Sequence, residues 1–262
     1  MSQQAEVRIL TQNFIDSETV IVSSNGGTTA YLYDRDNDTV WENADIFGFS
    51  HWDTVEMTLT FTFKVGGVET QFSTDSVILI GNNIREFDIE YYTGGGYVKI
   101  ATISENFDQN LFINFGARTT SRIRLKMRKT ILPNRRKHIA ELIIARNRIS
   151  LGQNYNLYEI GTREKVAITI LGDGTEHRAV TRFNTNRSQK YGCRATFDFL
   201  SRFDYNNLLA LKNENSPFLW YPESDFKPDE IYLVNWVNTF TAKYTTKSKD
   251  NGYTINMELR ET

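Results

Sequence analysis

Residues 55–65, VEMTLTFTFKV, alternate apolar and polar side chains without a break. Period-two alternation suits one backbone state only. In an extended strand Val55, Met57, Leu59, Phe61, Phe63 and Val65 lie on one side, and Glu56, Thr58, Thr60, Thr62 and Lys64 on the other. A second stretch, SRIRLKMRKT at 121–130, does the same with charge: Arg122, Arg124, Lys126 and Arg128 oppose Ile123, Leu125 and Met127. Two such strands demand an antiparallel sheet with one wet face.

The rest of the chain extends this pattern. SVILIG (76–81) reads as a strand buried on both faces, and FDIEYY (87–92), the turn TGGG and YVKIATI (97–103) read as a hairpin. LFINF adds a strand, and HIAELIIAR (138–146) is a strand or a short helix. After the polar stretch at 147–156 the pattern restarts. KVAITIL, GDGT and HRAVTRF form a hairpin, GCRATFDFL a strand, and FDYNNLLALKNEN a helix capped by Asp204 with Leu208, Leu209 and Leu211 on its apolar side. SPFLWYPESD reads as a proline-punctuated loop, and IYLVNWVNTFTAKYTT with YTINMELRE as a long hairpin. The expected fold is all-β: a sandwich over 1–149, then a barrel-like domain over 150–262 with one short helix.

The 262 residues carry a net charge of −2, so nucleic acid is not the expected partner, and no apolar run approaches the length of a membrane span. MSQQAEVRIL lacks a basic-then-apolar leader, which points to assembly in the cytoplasm. Cys193 is the only cysteine, and neither a nucleophile elbow nor a zinc-protease motif is present. Catalysis is therefore not expected, and no cofactor is required.

Three features could bind something. Asp34, Asp36 and Asp38 alternate as calcium ligands do in acidic loops, although Thr39 stands where an EF-hand needs glycine, and aspartates also simply make turns. Trp41, Trp52, Tyr91 and Tyr92 could line ligand loops, since aromatic faces can stack on sugars, although aromatics near an antiparallel β core more often pack in it. The basic strand of Arg122, Arg124, Lys126 and Arg128 could be a solvated face or could meet an acidic partner or another copy.

Three stretches, YLYDRDNDTVW, VILIGNNIREFDIEYY and SRIRLKMRKTILPNRRKHIAELII, resemble the discoidin-like (galactose-binding-like) jelly-roll modules over about residues 15–147. That resemblance implies a jelly roll whose relatives bind sugars, lipids or proteins. ATFDFLSRFDYNNLLALKNENSPFLWYPE resembles the barrel-type domains of distal tail proteins from long-tailed bacteriophages, with the order of the two domains reversed. It implies a virion structural subunit of the tail tip or baseplate, joined in a homo-oligomeric ring (hexamer or trimer) to other tail proteins. The alternative is a carbohydrate-binding protein that takes a host-surface glycan on its jelly roll.

Overall fold

The computed structural model of the chain describes residues 7–10, 13–36, 39–44, 55–146, 148–151, 155, 157–163, 165–170, 176–181, 190–222, 231–244 and 251–261. Backbone proximity divides it into two compact units, Gln12–Asn147 and Met1–Thr11 with Arg148–Thr262. A division into 1–149 and 150–262 therefore misplaces the amino terminus. The strand Arg8–Leu10 pairs antiparallel with Arg148–Ser150 and with Phe218–Tyr221. Val7 and Ile9 are buried with Leu151 and Trp220, and so short a strand shows no alternation of its own. The first unit is thus an insertion in the second.

The unit Gln12–Asn147 is an antiparallel sandwich. Its five-stranded sheet runs in the order Val20–Ser23, Met57–Thr62, Arg122–Thr130, Ile84–Tyr92, Tyr97–Ile103; its three-stranded sheet runs Leu111–Thr120, Phe72–Ile80, Glu141–Ala145. This is a jelly-roll layout. Register locks the alternating strands together: Leu125 lies between Leu59 and Ile89, and Met127 between Met57 and Phe87. These side chains meet Val77, Leu79, Leu142 and Ile144 of the other sheet in one core. Fully burying one such side chain stabilises by about 1.5–3 kcal/mol, so a one-residue slip, which would turn the guanidiniums inward, is excluded. Residues 141–145 form a strand rather than a helix, with all five side chains buried. As the central strand of its sheet, Phe72–Ile80 is buried from Ser76 to Ile80, as its unbroken apolar run implied.

The other unit holds one sheet in the order Arg148–Ser150, Arg8–Leu10, Phe218–Tyr221, Tyr232–Trp236, Asn251–Glu261, Lys190–Ser201, Leu157–Arg163, with Ala242–Tyr244 also on Asn251–Glu261. Lys165–Ile170 and Glu176–Thr181 pair as a hairpin. The sheet is an open path among the described residues, without the closing pair of a barrel. The helix spans Arg202–Glu214. Its cap is Ser201, whose hydroxyl accepts the Asp204 N–H at 3.0 Å while donating to the Asp204 carboxylate at 2.7 Å. Asp204 therefore sits inside the first turn, where a carboxylate also suits the helix dipole. Asn215 ends the helix in the left-handed conformation. Leu208 and Leu211 are buried. The stretch FLWY, expected in a loop, is a fully buried strand; its prolines, Pro217 and Pro222, flank it without interrupting it.

Candidate binding surface of the jelly roll

The outward side of the five-stranded sheet explains the basic strand. Arg122 donates two bonds to Glu69, Nε to Oε1 at 2.8 Å and Nη2 to Oε2 at 2.6 Å. Arg124 binds Glu90 through Nε at 2.6 Å and also through Nη2. Lys126 lies 3.3 Å from Glu56, and Arg128 bridges Glu86 at 2.9 Å and Asp88 at 2.5 Å. Lys129 and Lys99 join the same carboxylates, on Glu86 and Asp88 respectively. Arg122, Arg124, Lys126 and Arg128 could be a solvated face or meet an acidic partner or another copy; in the structure each has a carboxylate partner within its own unit. The acids come from flanking strands and loops far away in sequence, at 56, 69, 86, 88 and 90. Exposed pairs of this kind contribute about 0–1 kcal/mol each, so their chief effect is to neutralise the face. Asp88, 4% exposed, is the exception: without Arg128, Lys99 and the Thr102 hydroxyl at 2.8 Å it would be a poorly matched buried charge.

These pairs carry a pH signature. The Glu69 carboxyl is held down at about 2, first by the Arg122 hydrogen bonds and then by the Ser121 hydroxyl. Glu86 is lowered by Lys129 and Arg128, and Asp88 lies well below the usual carboxylate range because of Arg128. A depressed folded-state pKa means the unfolded chain binds more protons. The stability from Glu69 is thus complete above about 4.5 and is lost as pH falls towards about 2. Acid titration followed by circular dichroism is expected to show this loss, with a shallower slope in Glu69→Gln. Equal slopes would mean that the pair does not form in solution.

At one end of this face lies an aromatic platform. Tyr92 and Tyr97 are cross-strand partners flanking the exposed glycine turn, with ring centroids 5.4 Å apart. The Arg122 guanidinium lies over the Tyr92 ring at 4.9 Å, and that of Arg124 over Tyr97 at 3.9 Å. The Tyr92 hydroxyl donates to the Gly94 carbonyl at 2.7 Å, which fixes its ring. A guanidinium carries five N–H donors, and each carboxylate here takes two from its arginine. The remaining donors sit beside half-buried rings, an arrangement suited to a ligand with both hydroxyls and an apolar face.

Of the four aromatic residues expected to line ligand loops, only Tyr92 is placed here. Tyr91 lies opposite Ile123, towards the core. Trp52 lies outside the described residues. Trp41 is fully buried, its indole N–H donating to the Gly26 carbonyl at 3.3 Å, so its ring cannot stack on a ligand. It pairs with Ile139, while His138 accepts the Asn83 N–H at its carbonyl. That places Trp41 towards the start of the Ile84–Tyr92 strand, whereas Tyr92 stands at its other end. Tyr97, which the sequence reading left as an ordinary strand residue, is the residue it missed; a tyrosine directly after TGGG and opposite Tyr92 was the available signal.

The acidic loop lies near Trp41. Asp34 accepts the Asp36 N–H at 3.1 Å and the Thr39 hydroxyl at 2.6 Å, so Asp34 organises a turn. Asp38 lies outside the described residues. Among the described residues no three His, Cys, Asp or Glu side chains cluster as a metal site. The turn is nonetheless pressed against a buried carboxyl. Arg35, at φ 61°, donates its N–H to Glu141 Oε2 at 3.1 Å. Glu141 Oε1 has no hydrogen-bond partner and lies 3.9 Å from Arg35 Nε. Burial raises the Glu141 carboxyl to about 8, against the pull of Arg35. The charges of Asp34 and Asp36 add to the upward push on this buried carboxyl.

No protein-family model and no curated protein matches the sequence. Among solved structures, the chain is similar to CpGH89CBM32-5 from Clostridium perfringens, solved with GalNAc-β-1,3-galactose (TM-score 0.40, 11% identity, 49% of this chain and 96% of that one). It is also similar to chitosan-binding module 1 of a chitosanase/glucanase from Paenibacillus sp. IK-5 (TM-score 0.42, 14% identity, 52% and 100%). A third is CBM32-3 from a family 31 glycoside hydrolase of Clostridium perfringens (TM-score 0.41, 12% identity, 50% and 92%).

Proposed function

We propose that the protein is a glycan-binding protein rather than an enzyme, and that its jelly roll takes sugar on the Tyr92–Tyr97 platform. The observation that carries this reading is the pair of rings 5.4 Å apart with arginines stacked on both. The rings offer an apolar surface to the C–H face of a pyranose, and the spare guanidinium donors reach its hydroxyls. Such a site binds without reacting, since it holds no nucleophile with an adjacent base. A glycan array probed with the full chain tests the reading: binding to a restricted set of sugars is expected, and an array with no signal above a Tyr92→Ala, Tyr97→Ala double variant would dismiss it.

The insertion of the jelly roll between residues 11 and 148 supports a division of labour, with the second unit as scaffold and the jelly roll as its binding attachment. The setting we propose for that scaffold is the tail tip or baseplate of a long-tailed bacteriophage, where a ring of copies would present several platforms to a host-surface glycan and gain avidity. We further propose that Glu141 and Asp34, with Asp36 and Thr39, hold a calcium ion that fixes the acidic loop.

A further inference from the structure

The outward positions of Met57–Thr62 are threonines and those of Arg122–Thr130 are charged, but the edge strand Val20–Ser23 breaks the pattern. Val20 and Val22 point outward there, 41% and 57% exposed. The strand has one neighbour among the described residues, with Val20 opposite Thr62, Ile21 opposite Phe61, and Val22 opposite Thr60. The Ser24 N–H donates to the Thr58 carbonyl at 2.9 Å. Counting back in twos, Val22 and Val20 also spend their backbone groups on that neighbour, so Ile21 and Ser23 aim theirs away from the sheet. The strand is short, but among the described residues it holds no lysine, proline or bulge to blunt that edge.

The stretch Thr19-Val20-Ile21-Val22-Ser23 reads the same in both directions, apart from one hydroxyl residue replacing another. A strand of that kind pairs with a second copy of itself about a two-fold axis without loss of register. We propose that Val20–Ser23 is a self-association seam, which joins two jelly rolls by antiparallel strand addition centred on Ile21. The two Ile21 residues exchange both N–H···O=C bonds. Each Val20 faces the other copy's Val22 in the non-hydrogen-bonded position, where side chains approach most closely. Glu18 falls opposite Ser24, so no like charges oppose one another. The Thr19 N–H is already held by the Asp16 carbonyl at 3.1 Å, so the new ladder is short. The area is far below the roughly 1,000 Å² of a stable dimer, and the association therefore depends on concentration. This seam is independent of the sugar platform and does not rest on it.

Register gives a decisive test with full-length chains carrying Val20→Cys or Val22→Cys. In the seam, positions 20 and 22 of opposite copies lie about 4.5 Å apart, within disulfide reach, whereas like positions lie about 8 Å apart, beyond it. Oxidation of the mixed variants is expected to give a disulfide dimer on a non-reducing gel, and either variant alone a monomer. Charge provides a second arm, read by sedimentation velocity with melting temperature as the folding control. Val20→Lys with Val22→Lys should abolish association, and Val20→Glu with Val22→Lys should restore it through opposite charges. Equal cross-linking of single and mixed variants, no cross-linking above wild type, or persistent association of the double-lysine chain would each overturn the seam.

Discussion

Truncating Trp41 to alanine is expected to cost the jelly roll about 3–5 kcal/mol, the range for removing a large buried aromatic. The ring is fully buried in the core with Leu32 and Ile139, and its N–H is satisfied by Gly26. Packing there is close enough that Gly27 has no room for a side chain: a Cβ at this residue, whose φ is +89°, would run into the indole nitrogen and the Glu42 carbonyl. Small domains are stable by about 5–15 kcal/mol in total, so the truncation removes a large fraction of that margin. Urea unfolding of the full-length variant checks it in the transition assigned to the jelly roll. A loss under about 1 kcal/mol, outside the range for such a truncation, would put the ring at a surface and return Trp41 to the list of ligand residues.

The next largest effect is expected from calcium. At 100 times its dissociation constant a cation that binds only the folded chain stabilises it by about 2.7 kcal/mol. Glu141→Gln should remove that gain, because the neutral amide no longer attracts the ion. The physical reason is the orphaned Oε1: without a cation, a buried carboxyl is left with one oxygen unpaired and with its pKa raised by burial. Thermal unfolding at neutral pH, with calcium or with chelator, reads both arms. Identical melting temperatures in the two conditions would leave Asp34 and Asp36 as turn residues only.

Most of the jelly roll was legible because its strands advertise themselves. Alternation in 55–65 and 122–128 assigned each side chain to core or solvent, and the structure places Leu59, Phe61, Ile123 and Leu125 inside; Val65, expected in the core, is exposed in the separate short strand Lys64–Val65. The strand Phe218–Tyr221 was hidden because a run buried on both sides loses its alternation and flanking prolines imitate a loop. Arg8–Leu10 was assigned to the wrong unit because sheet membership is decided by partners more than a hundred residues away. The same non-locality obscured the surface. Arg122 and Arg124 looked like unmatched charge only because Glu69 and Glu90 lie on other segments. Tyr97 became noticeable once its register opposite Tyr92 was known. Glu141, inside the apolar run of the last strand, could not be distinguished by pattern from a residue on a wet face.

Titrating a sugar found on the array into wild type, Tyr97→Ala and Arg124→Ala by calorimetry tests the platform most directly, with melting temperatures as the folding control. Hydrogen bonds to charged groups are typically worth about 1.5–3 kcal/mol and aromatic contacts about 0.5–1.5 kcal/mol, so Arg124→Ala is expected to bind roughly ten-fold or more weakly than wild type and Tyr97→Ala several-fold more weakly, both melting as folded proteins. Wild-type affinity in both folded variants would show that the sugar binds elsewhere, and Tyr92 and Tyr97 would then be no more than a well-packed end of a sheet.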